Sequence, residues 1–380
     1  NGNLRPMQKL RLAVLLSLAV TFFGFAYAQT QSVTEVQAIY KAKVTSVTLL
    51  EPRSDEQSLT TSHPKKLEVV ILDGPYVGAT KTIEESVFEV QVGDMLYLSY
   101  LKTFDGTEYF SVQEPYRISV LVWLLGLFVL CVLLFGGKQG FLALVALAIS
   151  FGGVFTFLFP KLLTTDSVVL VATVAALVSL FIVMFVTHGR SRLTVSAFLG
   201  CSASVFVTIL LAQYAVTAAR LTGFASEESV YLNLATSGRL DFVALLIGGI
   251  IIGVIGVIDD IAITQASVVH ELHVANPAYS RRTLYIKALK VGKDHMGAVI
   301  NTLILAYTGA SLPLVLLLYT STAPVIELIN REAIATEIIR AIVGSIGLLA
   351  AVPLTTLIAV WLMYGHTEKH THAHTHGHTV

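Results

Sequence analysis

Within the apolar part of the chain, residues able to do chemistry concentrate in one stretch. Gly256-Val257-Ile258 runs into Asp259-Asp260 and continues Ile261-Ala262-Ile263-Thr264-Gln265-Ala266-Ser267-Val268-Val269-His270-Glu271-Leu272-His273. On a helix, Asp260, Thr264, Ser267 and Glu271 recur at spacings of 4, 3 and 4 and share one polar face. Ile261, Val268 and Leu272 turn away from it. Adjacent carboxylates in line with hydroxyl oxygens suit Mg²⁺ or Ca²⁺ better than zinc. They equally suit a path for an ion or solute. His270-Glu271-Leu272-His273 lacks the i, i+4 histidine pair of a zinc-protease helix and is a weak metal motif. Asn301 and Thr302, following Asp294 and His295, open a later apolar run from the same side and could converge with the stripe. The bland alternative is an interface cap at the aspartates, hydroxyls bonded back to the preceding turn, and Asn301 gluing two helices. An ionisable residue in a membrane segment is nevertheless a functional hypothesis by default.

A second cluster closes the chain. His370, His372, His374, His376 and His378 alternate with small or polar residues after Gly365. Such tracts bind divalent metals such as Zn²⁺, Ni²⁺ or Cu²⁺ weakly through neutral imidazole, without a defined geometry.

The elements that must position these residues are written in the composition. The chain has 380 residues, 54% apolar and 13% charged, with 25 basic against 25 acidic side chains. Soluble domains carry about 25% charge, so half the usual solvating charge is missing, which excludes a soluble globular protein. Zero net charge without a basic block excludes a nucleic-acid binder. Cys131 and Cys201 lie inside apolar runs and read as small buried hydrophobes. Seven runs meet the length of a membrane span: 118–135, 139–159, 167–187, 193–215, 241–258, 297–319 and 340–364. In lipid these must be helices, because every backbone polar group needs an internal partner. Asp241 to Asp260 measures about 29 Å at 1.5 Å per residue, so the aspartate pair is expected at the edge of the hydrocarbon. Gly249 and Gly253 form a small-xxx-small pair for close helix approach, and Pro313 and Pro353 are expected to interrupt the last two spans.

Ahead of the spans, Met7 is read as the true start of a signal. Lys9 and Arg11 precede the apolar run from Leu12 to Phe25 and the exit Ala26-Tyr27-Ala28, with cleavage expected after Ala28. Residues 29–115 read as five short strands: Val36 to Leu50, Leu67 to Leu72, Tyr76 to Ile83, Met95 to Leu101 and Tyr109 to Val112. Turns at Gly74-Pro75, Val92-Gly93-Asp94 and Asp105-Gly106 suggest a small barrel of OB or SH3-like type. His63 falls in the polar loop 51–66, where a solvated side chain is the better reading than a ligand.

The fold class is therefore an α-helical polytopic membrane protein of about seven transmembrane helices, with a small extracytoplasmic β-barrel-like domain at its N-terminus. The domains are a signal peptide or anchor at 1–28, the β domain at 29–115, the helices at 116–364 and a His-rich tail at 365–380. If the signal exports the β domain, the loops assigned to the cytoplasm carry eight basic residues (Lys138, Arg190, Arg192, Arg281, Arg282, Lys287, Lys290, Lys293). The outer loops carry five (Lys161, Arg220, Arg239, Arg331, Arg340). That bias agrees with positive-inside and puts the C-terminus in the cytoplasm.

The run from Gly256 to Leu272, and the run Lys293-Asp-His-Met-Gly-Ala-Val-Ile-Asn-Thr-Leu-Ile-Leu-Ala-Tyr307, resemble the YibE/F family of bacterial multipass membrane proteins. Val92-Gly93-Asp94 and Tyr116-Arg117 are similar too, so the resemblance covers most of 36–364. It implies a polytopic protein of the bacterial inner membrane with an exported N-terminal domain, and carries no catalytic or ligand role onto any residue. From the residues themselves, a transporter or permease component is favoured, with Asp259, Asp260, Thr264, Ser267, Glu271 and Asn301 lining a cytoplasmic-side path. Two alternatives stay open. One is an envelope docking protein that binds a partner through 29–115; the other is a membrane-embedded enzyme using a divalent metal held by the Asp pair or His270/His273. The bilayer is the first partner, and a homo-oligomer is compatible with the composition.

Overall fold

Alternation of apolar and polar residues builds the N-terminal sheet. In the computed structural model, which describes residues 36–50, 65–85, 87–103, 106–165 and 167–364, all five strands form. The signal segment, His63, the Phe104-Asp105 part of the last turn and the histidine tail lie outside the described residues. β1 (Val36–Leu49), β2 (Lys65–Ile71), β3 (Thr80–Glu85), β4 (Met95–Lys102) and β5 (Glu108–Pro115) make one antiparallel sheet, ordered β3-β2-β1-β4-β5. The first half of β1 pairs with β4 (Val36 opposite Lys102) and the second half with β2 (Leu49 opposite Lys65). A register shift between Val44 and Ser46 bends β1 between its partners, and the edge strands β3 and β5 approach each other to make a half-barrel. Ala42, Val44, Leu67, Val69, Ile71, Leu96 and Leu98 fill its inside.

The third strand is shorter than the sequence suggests. Tyr76 belongs to a 3₁₀ turn, Gly74–Tyr76, and the strand starts at Thr80. Gly74 takes φ +74° with its α-carbon against the Tyr40 ring, where any β-carbon would collide. The turn rolls Tyr76 onto Tyr40, Tyr100 and Phe110 at centroid distances of 5.3–5.8 Å.

The rest of the described chain is helical. α1 (Ile118–Gly153) runs through a break at Gly137 (φ 51°, ψ −128°) into a turn of π-helix, Val154–Leu158, and then α2 (Phe159–Leu162). There follow α3 (Val168–His188), α4 (Arg192–Ala218), α5 (Glu227–Ala235), α6 (Phe242–Ala275), α7 (Arg281–Ala310), α8 (Leu312–Thr320), α9 (Val325–Ile329) and α10 (Glu332–Met363). Five of these segments are long and apolar enough to cross a membrane, and six if the bent pair α7–α8 makes one span. That pair turns by 71° just before Pro313, which sits in the first turn of α8, whereas α10 continues through Pro353. The chain divides into two compact units at the Gly137/Lys138 step, the first half of α1 grouping with the sheet.

Within the larger unit, α4, α6 and α10 pack on one another, α3 lies on α6, and α7 lies on α10 and α6. The core is the 3.6-residue stripe of α6 (Ile247, Ile251, Val254, Ile258, Ile261, Ala262, Val269) set against its neighbours. Closest approach occurs away from Gly249 and Gly253. A β-carbon on Gly249 would meet nothing within 4 Å, and one on Gly253 only the Tyr307 hydroxyl at 3.7 Å. Instead Gly200, Ser204 and Thr208 of α4, one turn apart, face Gly347 and Thr355 of α10. The Ser204 hydroxyl donates to the Gly347 carbonyl across that seam.

Candidate functional site

α6 starts where the Asp241 carboxylate accepts the Ala244 N–H at 3.0 Å, an N-cap that fixes the helix start. Because Ile258, Ile261, Ala262, Ala266 and Val269 keep the apolar stripe facing the bundle, burial carries the helix on through Asp259-Asp260 for about four more turns. Asp259 Oδ1 accepts the Asp260 N–H at 2.8 Å. Asp259 is half-buried and Asp260 exposed.

Two further helices meet this pair. The fully buried Cys201 of α4 donates its thiol to the Ile258 carbonyl at 3.5 Å and lies within electrostatic reach of Asp259. His188, the last residue of α3, lies within electrostatic reach of Asp260. Cys201 is nine residues along α4 from Arg192, so Asp259 sits about 13 Å inside that end of the bundle. Six residues further on, Gln265 is level with Thr356 of α10, and no charged residue occurs in α10 from Ala341 to its end at Met363. At that level α4 and α10 are uncharged, whereas α7, which runs back along α6 and meets it at Ala288, carries Lys293, Asp294 and His295.

The remaining stripe residues lie on the outside of α6, Thr264 and Glu271 exposed and Ser267 half-buried. Asn301 and Thr302 lie exposed on α7, and no hydrogen bond joins Asn301 to the stripe among the described residues. The basic stretch 281–293 is the first part of α7 instead of a loop, so α6 and α7 form a helical hairpin closed by the short turn at Asn276 to Ser280. Near that turn His270 is half-buried and His273 buried, stacked on Tyr364 at 5.7 Å, with no hydrogen-bond partner for either ring nitrogen among the described residues. Among the described residues no group of three or more His, Cys, Asp or Glu side chains is placed to hold a metal.

Two sets of residues escape a reading of the polar stripe. Gln265 is buried on the opposite side of α6 and donates both to the Ala288 carbonyl of α7 at 3.0 Å and to the Thr356 hydroxyl of α10 at 2.7 Å. Gly292 makes room for it, since a β-carbon there would lie 2.5 Å from Gln265 Oε1. Ser204 and Thr208, four residues apart on α4, are buried hydroxyls in an apolar run, as are the adjacent Thr355 and Thr356 of α10. That spacing was the available signal.

Long apolar helices, packed through small and hydroxyl residues and holding an acidic pair, define a multipass protein of membrane type. The chain belongs to the YibE/F-like protein family, whose model matches residues 124–365 and takes in both runs that carry the resemblance. No curated protein matches it, and no solved structure matches it.

Proposed function

We propose that the protein is a transporter or permease component of the bacterial cytoplasmic membrane. Asp259, Asp260, Thr264, Ser267, Glu271 and Asn301 line the cytoplasmic side of a path for an ion or polar solute. One observation carries this reading: an unbroken helix holds two adjacent carboxylates beside Cys201 and His188, at a level where α4 and α10 are uncharged. Carboxylates kept among apolar helices are costly and mark pathways for ions and protons. The bent α7–α8 pair supports it, because discontinuous helices recur in transporters. In the same proposal there are seven spans. The 45-residue segment Ile118–Leu162 is about 68 Å long, more than twice the hydrocarbon thickness, and divides at Gly137. The half-barrel, a module of OB or SH3-like type, is then extracytoplasmic and the C-terminus cytoplasmic.

The test is flux in proteoliposomes. Asp260→Asn and Asp259→Asn should each abolish ion or solute movement while the protein elutes and melts like the parent. Undiminished flux in both variants removes the site.

A further inference from the structure

A second place in the larger unit brings positive charge and uncovered apolar surface together. Where α7 begins and α10 ends, a cavity of about 280 Å³ is lined by Arg281, Arg282, Tyr285, Leu357, Val360 and Trp361. Two features of its chemistry are unbalanced. Arg281 and Arg282 are adjacent cations in the first turn of a 30-residue helix that has no acidic residue in that turn. They repel one another and oppose the positive end of the helix dipole. Among the described residues neither has a carboxylate within salt-bridge distance, all four ion pairs there lying elsewhere. Among the described residues, Arg281 rests on the Tyr364 ring at 4.9 Å. Beside these charges stands an uncovered apolar wall, with Leu357 59% and Trp361 68% exposed.

We propose that this cavity binds an anionic phospholipid of the leaflet where α7 begins. The phosphate lies between the two guanidiniums, which present forked donors to phosphate oxygens, and an acyl chain covers Leu357 and Trp361. Basic pockets between spans are suited to such headgroups, and Trp and Tyr favour the interfacial level. A free phosphate answers the charges and leaves the wall bare. A zwitterionic lipid brings its own cation to two that are already unpaired. The anionic lipid alone meets both needs.

Full-length protein in detergent, with Trp123→Phe to leave Trp361 as the sole tryptophan, is titrated with bromine-labelled phosphatidylglycerol. Brominated phosphatidylcholine and inorganic phosphate are the comparisons, the phosphate competing with the labelled lipid. Trp361 quenching should saturate at a phosphatidylglycerol concentration at least ten-fold below that for phosphatidylcholine. Arg281→Gln/Arg282→Gln should abolish the preference, in line with roughly five-fold per basic residue near an anionic surface. Lys287→Gln/Lys290→Gln, the same change of charge further along α7, should keep it. Equal quenching by the two lipids overturns the proposal. So does the same loss in the lysine pair, or displacement of the lipid by millimolar phosphate, which would make the site one for a free anion. Should the arginine pair fail to fold, the lipid comparison on the parent protein still decides.

Discussion

Replacing Gly200 with alanine tests where the bundle is tightest. A β-carbon on Gly200 would lie 2.2 Å from the Thr355 hydroxyl oxygen and 2.7 Å from its α-carbon. The second neighbour is backbone, so no rotamer relieves the overlap, and α4 and α10 must part locally by about 0.7–1 Å to reach ordinary contact. Overpacking of this kind costs about 1–3 kcal/mol. Parting the seam also stretches the Ser204 to Gly347 hydrogen bond, and such bonds contribute about 0.6 kcal/mol on average in membrane bundles. Against this, alanine gains about 0.8–1 kcal/mol in helix propensity. The expected net loss for Gly200→Ala is about 1–3 kcal/mol. Gly249→Ala, with nothing within 4 Å, keeps only the propensity term and should be neutral or up to about 1 kcal/mol more stable. Unfolding of detergent-solubilised protein by a titration of SDS, followed by circular dichroism, separates the two. If Gly200→Ala unfolds with the parent, or Gly249→Ala loses as much, the α4–α10 seam is not the tight interface.

Other expectations follow from individual contacts. Gln265→Leu removes two donors that bind α6 to α7 and α10 and should lower stability by about 1–2 kcal/mol in the same titration. The Glu332 carboxylate accepts from Thr222 N–H, the Thr222 hydroxyl and Gly223 N–H at 2.8–2.9 Å. Glu332→Ala should therefore leave α10 melting normally while the 219–224 connection gains hydrogen exchange at least ten-fold, corresponding to about 1.4 kcal/mol of local opening. In the half-barrel, hydroxyls of Tyr76 and Tyr100 donate to Glu108 and hold its carboxyl below the usual glutamate range. Because the folded value is depressed, the stability it contributes is present above the unfolded value and lost as pH falls through the folded one. Tyr76 is held above the usual tyrosine range by its bonds to Tyr100 and then Glu108. Its contribution is present below about pH 10 and lost as pH rises beyond that. Exchange protection of β4 and β5 amides should fall at both ends, and Glu108→Gln should remove the acid limb while sparing the rest of the sheet. An acid limb that survives Glu108→Gln would rule the contact out as its source.

Periodicity and charge alone determined much of this protein. Apolar runs and glycine turns marked all five strands, but cut β5 to half its length and missed the rolling of Tyr76 out of β3, which depends on the Tyr40 ring lying over Gly74. Lengths of uncharged sequence marked the apolar helices, since a backbone removed from water must bond to itself. Pro313 marked the 71° bend, yet α10 continues as one helix through Pro353, packed against α4, α6 and α7. The acidic pair was legible as residues, and its neighbours Cys201 and His188 were not. Helix length measures distance from Asp241, whereas the neighbours depend on how α3 and α4 are placed against α6. Likewise glycine spacing pointed to Gly249 and Gly253, while the tight seam is Gly200 on Thr355 and Gly347 on Thr208. A helix presents small residues on several faces, and only the placement of a partner decides which face is closed. Gln265 and the two arginines of α7 belong to the same class, as groups whose roles come from residues about 20 to 90 positions away in the chain, brought near only when the bundle forms.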